Sequence, residues 1–162
     1  MVQITVNLLA FGPKISSNFS MKNELRNWSL TEGRTDWDTP NPKVSEVIAA
    51  LEAIRHDELH PFVILATPEN EQGCESYCQA LADDAGYVCE VRIYSGGEFR
   101  HSRSFLRDAQ GGLGDEDDPQ LPNLSQAIRI FTSFIADPQN LPTVDQVEWL
   151  DVSDEFEPVM NR

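Results

Sequence analysis

Residues 77–106 read YCQALADDAGYVCEVRIYSGGEFRHSRSFL, and they restrict the possible folds more tightly than any other part of the chain. Three runs, Tyr77 to Ala82, Tyr87 to Tyr94 and Glu98 to Leu106, are punctuated by DDAG and GG. Runs of that length between turn residues predict strands joined as an antiparallel meander. A two-residue turn at Gly96-Gly97 sets Tyr94 opposite Phe99 and Glu90 opposite Arg103. An aromatic pair and an opposite-charge pair are both favourable cross-strand neighbours. If DDAG closes the first hairpin, Cys78, Ala80 and Ala82 share a face with Tyr87, Cys89 and Val91. Two of the cysteines then serve as small core residues, the usual fate of a free thiol.

The flanking segments add helices and more strands. Val2, Ile4, Val6 and Leu8 alternate with Gln3, Thr5 and Asn7, which predicts a half-buried strand over 2–10. Phe11 to Asp38 is irregular, broken by Gly12-Pro13 and Gly33, with room for short strands. Asn41 can cap a helix whose first position suits Pro42. Val44, Val47, Ile48, Leu51 and Ile54 then recur at helical spacing up to about His56. PFVILAT, Pro61 to Thr67, is a compact apolar strand. Asn123 caps a second helix with Leu124, Ala127, Ile128, Phe131, Phe134 and Ile135 on its apolar side. VEWLDV, Val147 to Val152, is a final strand.

The order of elements predicts an α+β fold: an antiparallel sheet, the meander plus flanking strands, with two helices packed mainly on one face. The length of 162 residues suits a single domain over 1–162, able to bury roughly 70% of its unfolded surface. Within it lie an irregular segment at 11–40, a Gly/Pro-rich acidic loop at 108–122 and an acidic tail at 153–162.

Charge narrows the partners. Twenty-seven acids against twelve bases give a net charge of −15. Such a chain is repelled by nucleic acid and anionic lipid and is matched by a basic protein surface. Three cysteines, Cys74, Cys78 and Cys89, form no disulfide framework, which fits a reducing cytoplasm. The first residues, MVQITVNLLAFGPK, lack the basic start of a signal peptide, and no apolar run approaches the ~18 residues of a membrane span.

Several stretches resemble chemical motifs and fail their physical requirements. RHDELHP, Arg55 to Pro61, places His56 and His60 four apart, near the zinc pattern H-E-x-x-H. That pattern needs a glutamate directly after the first histidine and a continuous helix beneath both. Here Asp57 follows His56, and Pro61 pushes His60 out of helical geometry. A helix-end loop is the better reading, with Arg55 and His56 favoured by the helix dipole. HDEL lies mid-chain, where a retention signal has no meaning. Asp115, Glu116, Asp117 and Asp118 are contiguous, so they miss the spacing of a calcium loop. The glycines at 111, 112 and 114 precede these four acids and would repel a phosphate. His101 and Cys89 fall on opposite faces of their hairpin, which argues against a thiol–imidazole pair. Arg92, Arg100, Arg103 and Arg107 cluster on the meander and read as the polar face of a sheet. Trp28, Trp37 and Trp149 read as packing residues over the helix and sheet; an exposed one would suit an interface.

Three stretches together carry a family resemblance: DWDTPNPKVSEVIAALEAI with the strand PFVILAT; YVCEVRIYSGGEFRHSRSF; and LSQAIRIFTSFIADPQNLPTVDQVEWLDV. In order and character they resemble the first-listed immunity protein family of bacterial polymorphic toxin systems, over roughly residues 36 to 152. The resemblance implies a non-enzymatic, cytoplasmic protein that binds and occludes a cognate toxin domain. The residues themselves argue against a metal site, and the charge argues against direct contact with nucleic acid or membrane; no cofactor is expected. Strong acidity adds that the toxin surface is basic, as suits an activity on nucleic acid. The contacting groups expected are Asp115, Glu116, Asp117 and Asp118 in the loop, and Glu148, Asp151, Asp154 and Glu155 along the last strand and tail. A monomer or weak dimer is expected. The competing readings are a small-molecule binding module of the cytosol and a metal-dependent enzyme centred on His56, His60 or His101.

Overall fold

The computed structural model describes residues 24–33, 38–56, 61–107 and 120–156. Seven strands form one sheet: β1 (Ser29–Glu32), β2 (Asp38–Pro40), β3 (Phe62–Ala66), β4 (Tyr77–Asp83), β5 (Gly86–Ser95), β6 (Glu98–Leu106) and β7 (Val147–Asp151). Their spatial order is β2-β1-β3-β4-β5-β6-β7, and every neighbouring pair is antiparallel. Helix α1 (Val44–Ala53) crosses from β2 to β3, and α2 (Leu124–Ala136) lies between β6 and β7 in the chain. The architecture is α+β, as the order of elements predicts.

The meander has the expected register. Tyr94 pairs with Phe99 and Glu90 with Arg103. Cys78, Ala80 and Ala82 pair with Val91, Cys89 and Tyr87. Gly96 and Gly97 both hold positive φ, +65° and +92°, as a tight hairpin turn of this hand requires. Strands β1 and β2 fall inside the segment expected to be irregular. SLTE and DTP are too short to display a period of two, and the pairing of β1 with β3 and of β2 with β1 is what fixes them.

Both helices cover one face, here called inner. Leu30, Val63, Leu65, Cys78, Ala80, Cys89 and Val91 project from the strands to meet Val47, Leu51, Ile130, Phe131 and Phe134 in a single core. Full burial of a side chain such as Leu51 or Phe131 stabilises the fold by about 1.5–3 kcal/mol. Trp28 packs edge-on against Phe134, with ring centroids 5.8 Å apart. Trp149 leans on the same core, and its indole N–H donates to the Pro142 carbonyl at 2.9 Å. Both tryptophans therefore pack as expected; Trp37 and the strand expected at 2–10 lie outside the described residues.

The start of α1 differs from expectation. Asn41 does not cap it. That residue sits in the left-handed region at φ 53°, and its side-chain oxygen accepts from the Asn27 amide at 2.6 Å. Asparagine tolerates this conformation and readily bonds nearby backbone, which here wins over capping. Lys43 takes the cap position, and the Glu46 carboxylate accepts from its amide at 2.7 Å. The helix stops at Ala53, three residues short of His56, because Ile54 turns extended at ψ 144°. Arg55 then donates to the Glu52 and Ile54 carbonyls at 2.6 and 2.8 Å, a cation on the negative end of the helix. Asn123 does cap α2: it accepts from Gln126 N, and Gln126 accepts from Asn123 N, each at 3.0 Å.

Candidate functional site

Strand alternation sends the remaining side chains to the outer face, opposite α1 and α2. The register lays them out in rows. One row runs Ala66, Tyr77, Arg92, His101 across β3 to β6. The next runs Ile64, Gln79, Glu90, Arg103, Leu150 across β3 to β7. Beside them Phe62, Leu81 and Val88 line up across β3 to β5, and Tyr94 faces Phe99 at the far end.

At the centre is a buried carboxylate. Glu90 is 6% exposed. It accepts from Gln79 Nε2 at 2.5 Å and from Arg103 Nε at 2.7 Å, and His101 Nε2 lies 3.3 Å away. Arg103 also donates to Glu155 at 2.8 Å, from the short 3-10 helix Ser153–Phe156. Each charge is thus met by another, as a buried ionic group requires. Burial pushes the His101 imidazole below its ordinary pKa, against the pull of Glu90. Tyr77 stands edge-on to His101, with centroids 5.7 Å apart. The sequence read the Glu90–Arg103 pair correctly but placed it on a solvated polar face. Instead, the carboxylate is buried, with Gln79, Arg103 and His101 around it.

Around this centre, large apolar groups stay open. Leu81 is 42% exposed, Phe99 42% and Leu150 54%. Phe99 packs against Tyr94 at 4.8 Å, and the Arg92 guanidinium lies over the rings of Phe99 and Tyr77, 4.4 and 4.5 Å from their centroids. An apolar and aromatic surface with an embedded arginine has the make-up of an interface centre. The alternation of Tyr77, Leu81, Val88, Tyr94, Phe99 and Leu150 was the available sequence signal for this face, and sequence reasoning passed over it.

The expected acidic contacts divide. Glu148 forms an ion pair with Arg107, and Glu155 with Arg103. Asp151 is exposed and accepts from the Ser153 hydroxyl at 2.6 Å and its amide at 2.9 Å, which hold its carboxyl below the usual range. Asp154 is exposed. Asp115, Glu116, Asp117 and Asp118 lie outside the described residues. So does His60, while His56 pairs with Asp84 at 2.9 Å. Arg100 is exposed and shares a register position with inner-face Ile93, apart from the other meander arginines. Cys78 and Cys89 are fully buried on the inner face; burial raises both thiols, Cys89 to about 12. His101 is on the other face, so the separation of Cys89 from His101 is as expected.

Among the described residues no three His, Cys, Asp or Glu side chains are grouped to hold a metal ion, and no helix is long and apolar enough to cross a membrane. A cavity of about 260 Å³ opens between the end of α1, the β4–β5 turn and the start of α2, lined by Ile54, His56, Asp84, Tyr87 and Leu124 among others. Comparisons with protein-family models, with curated proteins and with solved structures find no match for this chain.

Proposed function

We propose that this chain is a non-catalytic binding protein of the immunity type, which holds a toxin domain inactive by covering its working surface. The observation that carries the reading is the outer sheet face: Leu81, Phe99 and Leu150 stand exposed around a centre whose charges are already matched. Exposed apolar groups around a fixed polar centre gain free energy when a protein surface excludes water from them. The acidic end of β7 and the 3-10 helix borders this face, with Asp151 and Asp154 exposed. On a chain of charge −15 this border would steer a basic domain into place. The order of elements resembling an immunity family supplies the partner class. Cytoplasmic action, a nucleic-acid-targeting toxin and a monomeric or weakly dimeric state belong to the same proposal.

The test is binding to the toxin-type domain encoded beside this chain, purified and titrated by calorimetry, with growth protection on co-expression. The expected result is submicromolar binding that Leu81→Asp with Leu150→Asp weakens at least tenfold while the melting temperature holds. A neighbouring domain that does not bind, or binding indifferent to both changes, overturns the reading.

A further inference from the structure

Among the described residues, the outer face carries a cation, Arg92, that no carboxylate answers. Arg103 is paired with Glu90 and Glu155, and Arg107 with Glu148. Arg92, in the same face, has no described carboxylate within ion-pair distance, and its Nε is buried with no hydrogen-bond acceptor. A chain with 27 acidic residues had ample means to place one there. A buried donor left unmet is destabilising, so the arrangement is unfavourable for the isolated protein.

The side chain is nonetheless held in position. Its guanidinium lies over the Tyr77 and Phe99 rings, Tyr94 backs Phe99, and the Tyr94 hydroxyl donates to Gln72 at 2.6 Å. Stacking on aromatic faces holds the planar fork without using its terminal N–H groups, which can take a bidentate acceptor. An arginine already ordered and partly stripped of water binds a carboxylate more strongly than a mobile surface arginine does.

We infer that Arg92 is the specificity anchor of the outer face, and that the protein partner seats there one Asp or Glu side chain flanked by apolar residues that cover Leu81 and Phe99. This rests on the reading of the face as a protein-binding surface. In an acidic chain that attracts basic partners in general, a single position of opposite sign selects among them. It rewards a partner with a carboxylate at that point and leaves all others with an unmet arginine.

The experiment uses a displayed library of single-domain binders selected on the intact chain. It is counter-selected on the Leu81→Asp, Leu150→Asp variant, so that survivors occupy this face. Survivors are expected to carry an Asp or Glu at a recurring position and to bind Arg92→Met at least tenfold more weakly. Arg92→Lys should fail similarly, because an ammonium cannot replace the fork, and both variants should keep the parent melting temperature. Changing the recurring acid to its amide should cost the same, with no further loss when combined with Arg92→Met. Survivors without a recurring acid, or indifferent to Arg92, overturn the inference and leave the docking surface standing. An absence of survivors overturns both.

Discussion

Gly86 opens β5, and a methyl group there tests how tightly the sheet is joined to α2. A Cβ built on Gly86 would lie 2.7 Å from the Pro122 carbonyl oxygen and 3.1 Å from Leu121 Cβ, and the residue's φ is +155°. The first contact is with backbone that cannot swing aside. Pro122 O also accepts the Tyr87 amide at 2.9 Å, and Asn123, next in the chain, caps α2. Relieving the clash therefore moves the cap and the start of the helix. Overpacking of this kind costs about 1–3 kcal/mol, and backbone strain at a glycine-only φ adds roughly 1. Restricting the unfolded chain returns about 0.4–1 kcal/mol. The net expectation for Gly86→Ala is a loss of roughly 1–3.5 kcal/mol, or a melting temperature lower by about 2–14 °C for a domain of this size. Gly96→Ala is the control: it has positive φ and no atom within 4 Å of the added methyl. It should lose only about 1 kcal/mol from backbone strain. Urea unfolding followed by tryptophan fluorescence and circular dichroism measures both. If Gly86→Ala is no worse than Gly96→Ala, the close approach of Pro122 does not constrain the fold and the reasoning fails.

Two further outcomes follow from the buried groups. Burial lowers the His101 pKa in the fold below its ordinary value, so the unfolded state binds more protons as the pH drops through about 6.5, and stability falls with it. Urea midpoints between pH 5.5 and 8 should show this fall. Glu90→Gln, which removes the opposing pull, should steepen it; equal profiles would count against the contact. With Cys78 and Cys89 buried and Cys74 partly exposed, a thiol reagent should titrate one group rapidly in the native protein and all three in denaturant. Rapid labelling of two or three native thiols would place the cysteines elsewhere.

The meander was legible because alternation and two glycine-bearing turns act locally, and local signals fixed both its register and the inner-face position of Cys78 and Cys89. The helices were legible from their apolar stripes, although Ile130, fully buried in α2, was not counted among them. What escaped depends on neighbours distant in sequence. β1 and β2 exist only through pairing with β3 and each other. The cap of α1 shifted because Asn27, fourteen residues away, claims the Asn41 side chain. Glu148 and Glu155 looked like free anions because Arg107 and Arg103 reach them only once β6 and β7 pair. The outer face was misjudged for a related reason. Taken one strand at a time its residues look polar, and its apolar character emerges only when five strands are laid side by side.

The edges of the sheet bear on how such a face is tolerated. Among the described strands, β2 is three residues long and ends at Pro40, which has no N–H to offer, while β7 at the other edge carries Glu148 and Asp151. Short, proline-bearing or charged borders discourage one sheet from growing onto another. An apolar sheet face with open, pairable edges would otherwise invite edge-to-edge association. Here the face can stay apolar because its borders resist strand addition, and on the proposed reading a partner would come down flat onto it instead of lengthening it by another strand.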